Sequence, residues 1–110
     1  LEEISREMGV PTLVTRADVG VPEDCRAFIE RTIREFGRID TLICNAGYGV
    51  YKPVEETSAE EVQQMMQVDV VGTTECIRHC IPHMKGNPIT NGWRGPIMVI
   101  SSAAARLGLD

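Results

Sequence analysis

The stretch GRIDTLICNAG at residues 37–47 decides the fold of this chain. Its centre, Thr41 to Cys44, is a short apolar run, and the polar turn Asn45, Ala46 and Gly47 follows it directly. Such a run is typical of a strand that is covered on both faces of a parallel sheet. Ligands bind beyond the carboxyl ends of strands in open parallel sheets, so this turn is a candidate binding element.

Helix and strand patterns alternate on both sides of this stretch. Before it, they predict a helix that ends before Gly9, a strand over Thr12 to Ala17 and a helix from Pro22 to about Phe36. The stretch itself contains a strand over Thr41 to Cys44. After it come a long helix, from the Ser58–Glu61 capping box to Met84, and a strand over Ile97 to Ile100. This alternation predicts an α/β fold with a doubly wound parallel sheet and helices on both faces, which makes three αβα layers.

Composition limits the partners of the protein. The chain has 110 residues, of which 43% are hydrophobic, and this is enough for one core. Its net charge of -5 provides no basic surface for nucleic acid or anionic lipid, and no run approaches the roughly 20 apolar residues of a membrane span. Because Leu1, Ile4 and Met8 start partway through a helical pattern, we expect the true N-terminus, with any targeting segment, to precede Leu1. We expect a cytoplasmic protein.

The cysteines form no CxxC pair, and we expect reduced, partly buried thiols. An alternative is a metal site, because Cys76, Cys80 and His83 fall at i, i+4 and i+7 on one helical face, with His79 beside them. Their spacing resembles no compact zinc module, so no metal is predicted.

Polar side chains also follow the other two predicted strands. Asp18 leaves the first strand, and Ser101 and Ser102 leave the last. Asp69 shares a helical face with apolar residues such as Cys76, so we expect its carboxylate to be largely buried and therefore paired, protonated or bonded to a neighbouring turn. The Asp69 side chain either forms a hydrogen bond with loop backbone at a helix kink or supports a functional site.

Four segments together resemble the short-chain dehydrogenase/reductase family. They are ADVG at 17–20, GRIDTLICNAG at 37–47, VDVVG at 68–72 and GPIMVISS at 95–102, and they occur in the family's order and with similar separations. The resemblance implies a Rossmann-type domain that binds NAD or NADP, a small carbonyl or alcohol substrate, and a homo-dimer or homo-tetramer.

The resemblance also implies roles for single residues. Asp18, with the Val19 backbone, matches the position beside the adenine ring, and the turn at 45–47 matches the stretch along the cofactor's ribose. Ser102 matches the catalytic serine that holds the substrate oxygen. Asp69 matches the asparagine of the catalytic tetrad, whose main-chain carbonyl binds a water of the proton relay. The resemblance therefore implies the main-chain role for Asp69, whereas its carboxylate lacks the donor hydrogens of the asparagine amide.

The family's tyrosine and lysine pair has a literal match at Tyr48 and Lys52, which we reject. This pair precedes the serine, and Gly49 and Pro53 disfavour a helix there, so we predict a loop at the pocket entrance. The true pair is expected after Asp110, and the glycine-rich phosphate turn before Leu1.

Residues 1–110 are therefore expected to be an incomplete NAD(P)-binding domain that supplies strands 3, 4 and 5 of the sheet. We expect the isolated chain to fold poorly and to be inactive. The parent protein would transfer hydride between the nicotinamide cofactor and a carbonyl or secondary alcohol. The alternative is a non-catalytic dinucleotide-binding sensor on the same fold.

Overall fold

The computed structural model of the protein describes residues 2–105. The helices are α1 (Glu2–Glu7), α2 (Pro22–Phe36), α3 (Ala59–Met66) and α4 (Thr73–Met84), the strands are β1 (Leu42–Cys44) and β2 (Ile97–Val99), and a π-helical turn (Gln67–Gly72) joins α3 to α4. The strands are parallel, with Ile43 opposite Met98. Parallel strands that are joined through a helix confirm the predicted α/β fold.

Helix α2 has the predicted bounds because local signals define both ends. Pro22 takes the first helical turn together with Glu23 and Asp24, where a fixed φ and negative charge are favourable. At the other end Gly37 adopts a φ of 78°, and its amide donates to the Ile33 carbonyl. Cys25 and Ile29 on the inner face are each 1% exposed.

The long helix begins at the predicted capping box but is not one continuous α-helix. The Ser58 amide donates to Glu61 Oε2 at 2.8 Å, and the Glu61 amide donates to Ser58 Oγ at 3.2 Å. The π-turn then widens the helix and changes the face that later residues present. Met66 is 52% exposed before the turn, whereas Cys80 is fully buried after it, where α4 packs against α2 and β1.

The core lies between α2, α4 and the sheet. Its buried members are Cys25, Ile29, Ile39, Leu42, Cys76, Cys80 and Met84. The loop after α4 is tied to this core by Asn87, which is 7% exposed and whose Nδ2 donates to the carbonyls of Ile39 and Arg94. None of the helices in residues 2–105 has the length and apolar character that crossing a membrane requires.

Two predicted elements differ from the structure. Residues 12–17 form no strand, because they have no hydrogen-bonded partner strand within residues 2–105. Strand β2 ends at Val99, although the Ile100 amide still donates to the Cys44 carbonyl at 3.0 Å. The opening helix is confirmed over Glu2–Glu7, and Leu1 lies outside the described residues.

Candidate functional site

Three segments meet beyond the carboxyl end of β1, and we call them together the rim. They are the turn at residues 18–21, the turn at 45–48 and the π-turn at 67–72. Gln67 Nε2 donates to the Gly20 carbonyl at 2.9 Å, and the Tyr48 amide donates to Asp69 Oδ1 at 3.1 Å. The π-turn therefore contacts both of the other turns.

The first turn places an acceptor beside a donor. Asp18 Oδ1 accepts from the Gly20 amide at 2.9 Å, and the Asp18 carbonyl accepts from the Val21 amide at 2.9 Å. The Asp18 residue is exposed, and the Val19 amide donates no hydrogen bond within residues 2–105. This turn thus presents a carboxylate and an available N–H next to each other.

Asp69 is exposed, so the expected burial of its carboxylate is wrong. The π-turn carries Asp69 away from the face of Cys76 and toward the loop after β1. We expected this carboxylate to be paired, protonated or bonded to a neighbouring turn. The structure shows the last of these, a hydrogen bond from the Tyr48 amide. A β-carbon at Gly47 would lie 3.0 Å from Asp69 Oδ1, so this close approach favours glycine.

Backbone contact joins the π-turn to the first turn at Gly72. A β-carbon there would lie 2.9 Å from the Val19 carbonyl carbon and closer still to its oxygen. The Cys25 thiol lies against the same place, since its Sγ is 3.3 Å from the Val19 carbonyl oxygen and 3.8 Å from that of Gly72. The tight packing is consistent with the buried position of Gly72.

A cavity of about 220 Å³ opens behind the rim. Its lining includes Val19, Phe28, Asn45, Ala46, Gly72 and Cys76. A larger cavity of about 800 Å³ lies at the opposite end of the strands, where Arg38, Asp40, Trp93 and Arg94 line it near the start of β2. The smaller cavity adjoins the polar strand exits, and we therefore place the candidate site there despite its size.

Ser102 lies just after β2, on the exit beside that of β1. The bond from the Ile100 amide to the Cys44 carbonyl keeps the two exits adjacent. Ser102 is exposed, and its Oγ accepts from the Ala104 amide at 3.2 Å. Asn45 and Ala46 are exposed at the neighbouring exit. These residues stand at one edge of the sheet, as predicted.

Tyr48 and Lys52 lie in a loop, as predicted, and not on a helix. Lys52 Nζ pairs with Glu61 Oε2 at 2.7 Å, and this hydrogen bond is the main cause that lowers the pKa of the Glu61 carboxyl. The Lys52 side chain is therefore paired with a residue in the first turn of α3. Tyr48 is 45% exposed.

The four thiols are free, and three of them are buried. Burial raises the pKa of each, and it raises that of Cys76 to about 12, with a further contribution from the neighbouring Cys25 thiol. Within residues 2–105 no three His, Cys, Asp or Glu side chains form a group that could hold a metal ion. The alternative site at Cys76, Cys80 and His83 therefore does not form, and His79 faces Glu75 at 3.4 Å instead.

The role of Gln67 in the rim has no signature in the sequence. Its amide reaches a turn 47 residues earlier in the chain, and no local pattern marks that contact. A signal was present for Gly72, since a glycine inside a long helical pattern indicates close backbone packing.

Comparison with known proteins decides the family. The family model for short chain dehydrogenases matches residues 1–110. The chain belongs to this family. Among curated relatives, 11-beta-hydroxysteroid dehydrogenase-like 2 of Arabidopsis thaliana is 35% identical over 98% of this chain and 34% of the relative. L-fucose dehydrogenase of Bos taurus is 34% identical over 88% of this chain and 34% of that protein.

Two solved structures confirm the Rossmann-type fold. A short chain dehydrogenase from Burkholderia cenocepacia, in complex with NADP, matches 96% of this chain and 40% of its own, with a TM-score of 0.81 and 21% identity. An alcohol dehydrogenase from the archaeon Thermococcus sibiricus, complexed with 5-hydroxy-NADP, matches 76% of this chain and 36% of its own, with a TM-score of 0.70 and 30% identity. The chain spans about a third of the length of its curated relatives.

Proposed function

We propose that residues 1–110 are the central part of an oxidoreductase that transfers hydride between NAD or NADP and a carbonyl or secondary alcohol. The observation that carries this proposal is the rim, where Asp18 and Val19 lie beside the turn at 45–47 that follows β1, with Ser102 on the neighbouring exit of β2. Both structural neighbours named above are complexes with NADP or its 5-hydroxy derivative. Membership of the family supports the same reaction class.

The residues of the first turn fit the adenine end of such a cofactor. Adenine presents an amino donor beside a ring-nitrogen acceptor, and the Asp18 carboxylate beside the available Val19 amide is the complementary pair. Small residues at Ala46 and Gly47 leave room for a flat ligand to approach the backbone of the second turn. When bound, the cofactor supplies or accepts the hydride.

Ser102 would hold the substrate oxygen through its exposed hydroxyl. The Asp69 carboxylate already accepts a hydrogen bond from the Tyr48 amide, so its side chain orients the loop after β1. We assign the role in the proton relay to the main-chain carbonyl of Asp69, by analogy with the family. The acid and base pair and the phosphate turn would come from segments outside residues 1–110, so the isolated chain would be inactive.

The parent protein is proposed to be a cytoplasmic homo-dimer or homo-tetramer. Free, buried thiols are typical of a reducing compartment. Apolar side chains along α3 and the π-turn support self-assembly, since Val62, Met66 and Val70 are 45%, 52% and 48% exposed.

Replacement of Ser102 by alanine in the full-length protein tests the reaction. We expect kcat to fall by about 10² to 10³, as for loss of one donor to a reacting oxygen, while the Kd for NAD(P)H changes less than about twofold. Turnover of ketones and secondary alcohols is followed by NAD(P)H absorbance, with a hydroxysteroid and L-fucose in the panel because the names of the two curated relatives refer to such compounds. Ser101→Ala is the control, because Ser101 adjoins Ser102 and is also exposed.

Unchanged turnover in Ser102→Ala would refute the assigned role of this serine. Tight dinucleotide binding by the unmodified protein, without turnover of any compound in the panel, would instead favour the non-catalytic sensor.

A further inference from the structure

Gln67 links the helix to the first turn of the rim. Its side chain is half-buried, and its Nε2 lies 2.9 Å from the Gly20 carbonyl oxygen. A carbonyl only accepts hydrogen bonds, so the amide nitrogen of Gln67 must face it. Two residues later, Asp69 makes the corresponding contact with the second turn.

The first turn is also packed directly against the residue that follows Gln67. A β-carbon at Gly20 would lie 3.2 Å from Val68 Cγ2, so the turn approaches the helix too closely here for a larger side chain to fit without displacing the valine. The Gln67 hydrogen bond opposes movement of this turn away from the helix. Gly20 is thus held close to the helix.

The position of Gly20 is transmitted to the proposed ligand-binding groups. The Gly20 amide donates to Asp18 Oδ1 at 2.9 Å, and Val19 lies between the two residues in the chain. A shift of Gly20 therefore displaces the Asp18 carboxylate and reorients the Val19 amide. Gln67 itself touches neither group through a hydrogen bond.

We propose that Gln67 is a positioning residue, which fixes the turn at 18–21 so that Asp18 and Val19 meet the adenine end of a dinucleotide. The identity of the ligand rests on the proposed function, whereas the effect of Gln67 on the turn does not. The π-turn thereby aligns the turn at 18–21 with the loop after β1, through Gln67 on one side and Asp69 on the other.

The test uses Gln67→Glu and Gln67→Met in the full-length protein. Glutamate keeps the size of the side chain but sets a carboxylate against the Gly20 carbonyl, and methionine keeps the length without a donor. Gln64→Glu is the matched control, because this substitution makes the same change of charge at an exposed position of α3. Thermal unfolding of each variant verifies that it folds.

Two measurements are compared across these proteins. Amide hydrogen exchange of residues 18–21 is recorded without ligand, and Kd values are measured for 5′-AMP and for NAD(P)H. We expect exchange to accelerate about fivefold or more in both Gln67 variants, and affinity for both ligands to fall by a common factor of about five, the effect of one ordinary hydrogen bond. We expect kcat at saturating cofactor to stay within about twofold, and the control to match the unmodified protein.

Unchanged exchange at residues 18–21 in both variants would overturn the proposal. Faster exchange in Gln67→Glu alone would also overturn it, because the effect would then come from the new charge. Faster exchange with unchanged affinity for 5′-AMP would overturn it as well. If the unmodified protein binds neither 5′-AMP nor NAD(P)H, the proposed function and the ligand assigned here fail, while the exchange data still decide whether Gln67 fixes the turn.

Discussion

Substitution of Gly72 by alanine probes the closest backbone contact in the rim. The added methyl carbon would lie 2.9 Å from the Val19 carbonyl carbon and 3.1 Å from Val19 Cβ, with the carbonyl oxygen nearer than either. Carbon atoms pack best at about 3.5 to 4.0 Å, so the helix and the first turn must separate by roughly 1 Å. That movement also disturbs the Cys25 thiol, which contacts both carbonyl oxygens.

The net change in stability combines two opposing effects. Overpacking of a close-packed site costs about 1 to 3 kcal/mol, and the upper part of this range applies because the obstructing atoms belong to backbone and cannot rotate away. Alanine in place of glycine recovers about 1 kcal/mol of helix propensity. We expect Gly72→Ala to lower the free energy of unfolding by about 1 to 2 kcal/mol.

Urea denaturation of the full-length protein, followed by circular dichroism, measures this change. Gly86→Ala is the control, because a β-carbon at Gly86 would meet only the His83 carbonyl oxygen, at an ordinary 3.5 Å. If Gly72→Ala were as stable as the unmodified protein, the backbone contact with Val19 would not limit this site, and the packing argument would be refuted.

Two further predictions concern Asp69 and the buried thiols. Asp69→Asn retains an oxygen that can accept a hydrogen bond from the Tyr48 amide, whereas Asp69→Ala removes this bond and lowers stability by about 1 kcal/mol. Amide hydrogen exchange at Tyr48 should therefore accelerate in the alanine variant only. Equal exchange in both variants would contradict this prediction. The folded pKa of Cys76 is raised to about 12 from an ordinary 9.0, so its contribution to stability is complete below pH 9 and is lost as the pH rises toward 12. Unfolding free energies measured between pH 8 and 11 should therefore decline more steeply in the unmodified protein than in Cys76→Ala, and parallel curves would exclude this cause.

Elements whose signals are local were predicted correctly. The bounds of α2 follow from Pro22 at its start and Gly37 at its end, and the start of α3 follows from Ser58 and Glu61. Each signal acts through hydrogen bonds or dihedral preferences within about one turn of chain. The loop at Tyr48 was predicted for the same reason.

The predictions that failed depend on long-range contacts. A strand at residues 12–17 requires a partner strand, which the described chain does not provide. The predicted burial of Asp69 assumed a uniform α-helix, and the π-turn removes the periodicity on which that prediction relied. Asn45 and Ser102 lie beyond the carboxyl ends of β1 and β2, as expected, because the two strands are parallel and end at the same edge of the sheet.

The sequence by itself determined the family, the α/β order and the residues that follow β1 and β2, because motifs and periodicity are properties of neighbouring residues. Only the tertiary structure decided how the turns of the rim are held together. Gln67 reaches Gly20 and Asp69 reaches Tyr48 across 47 and 21 residues of chain. Such contacts form when a helix packs against loops from distant segments, and their partners are set by the geometry of that packing.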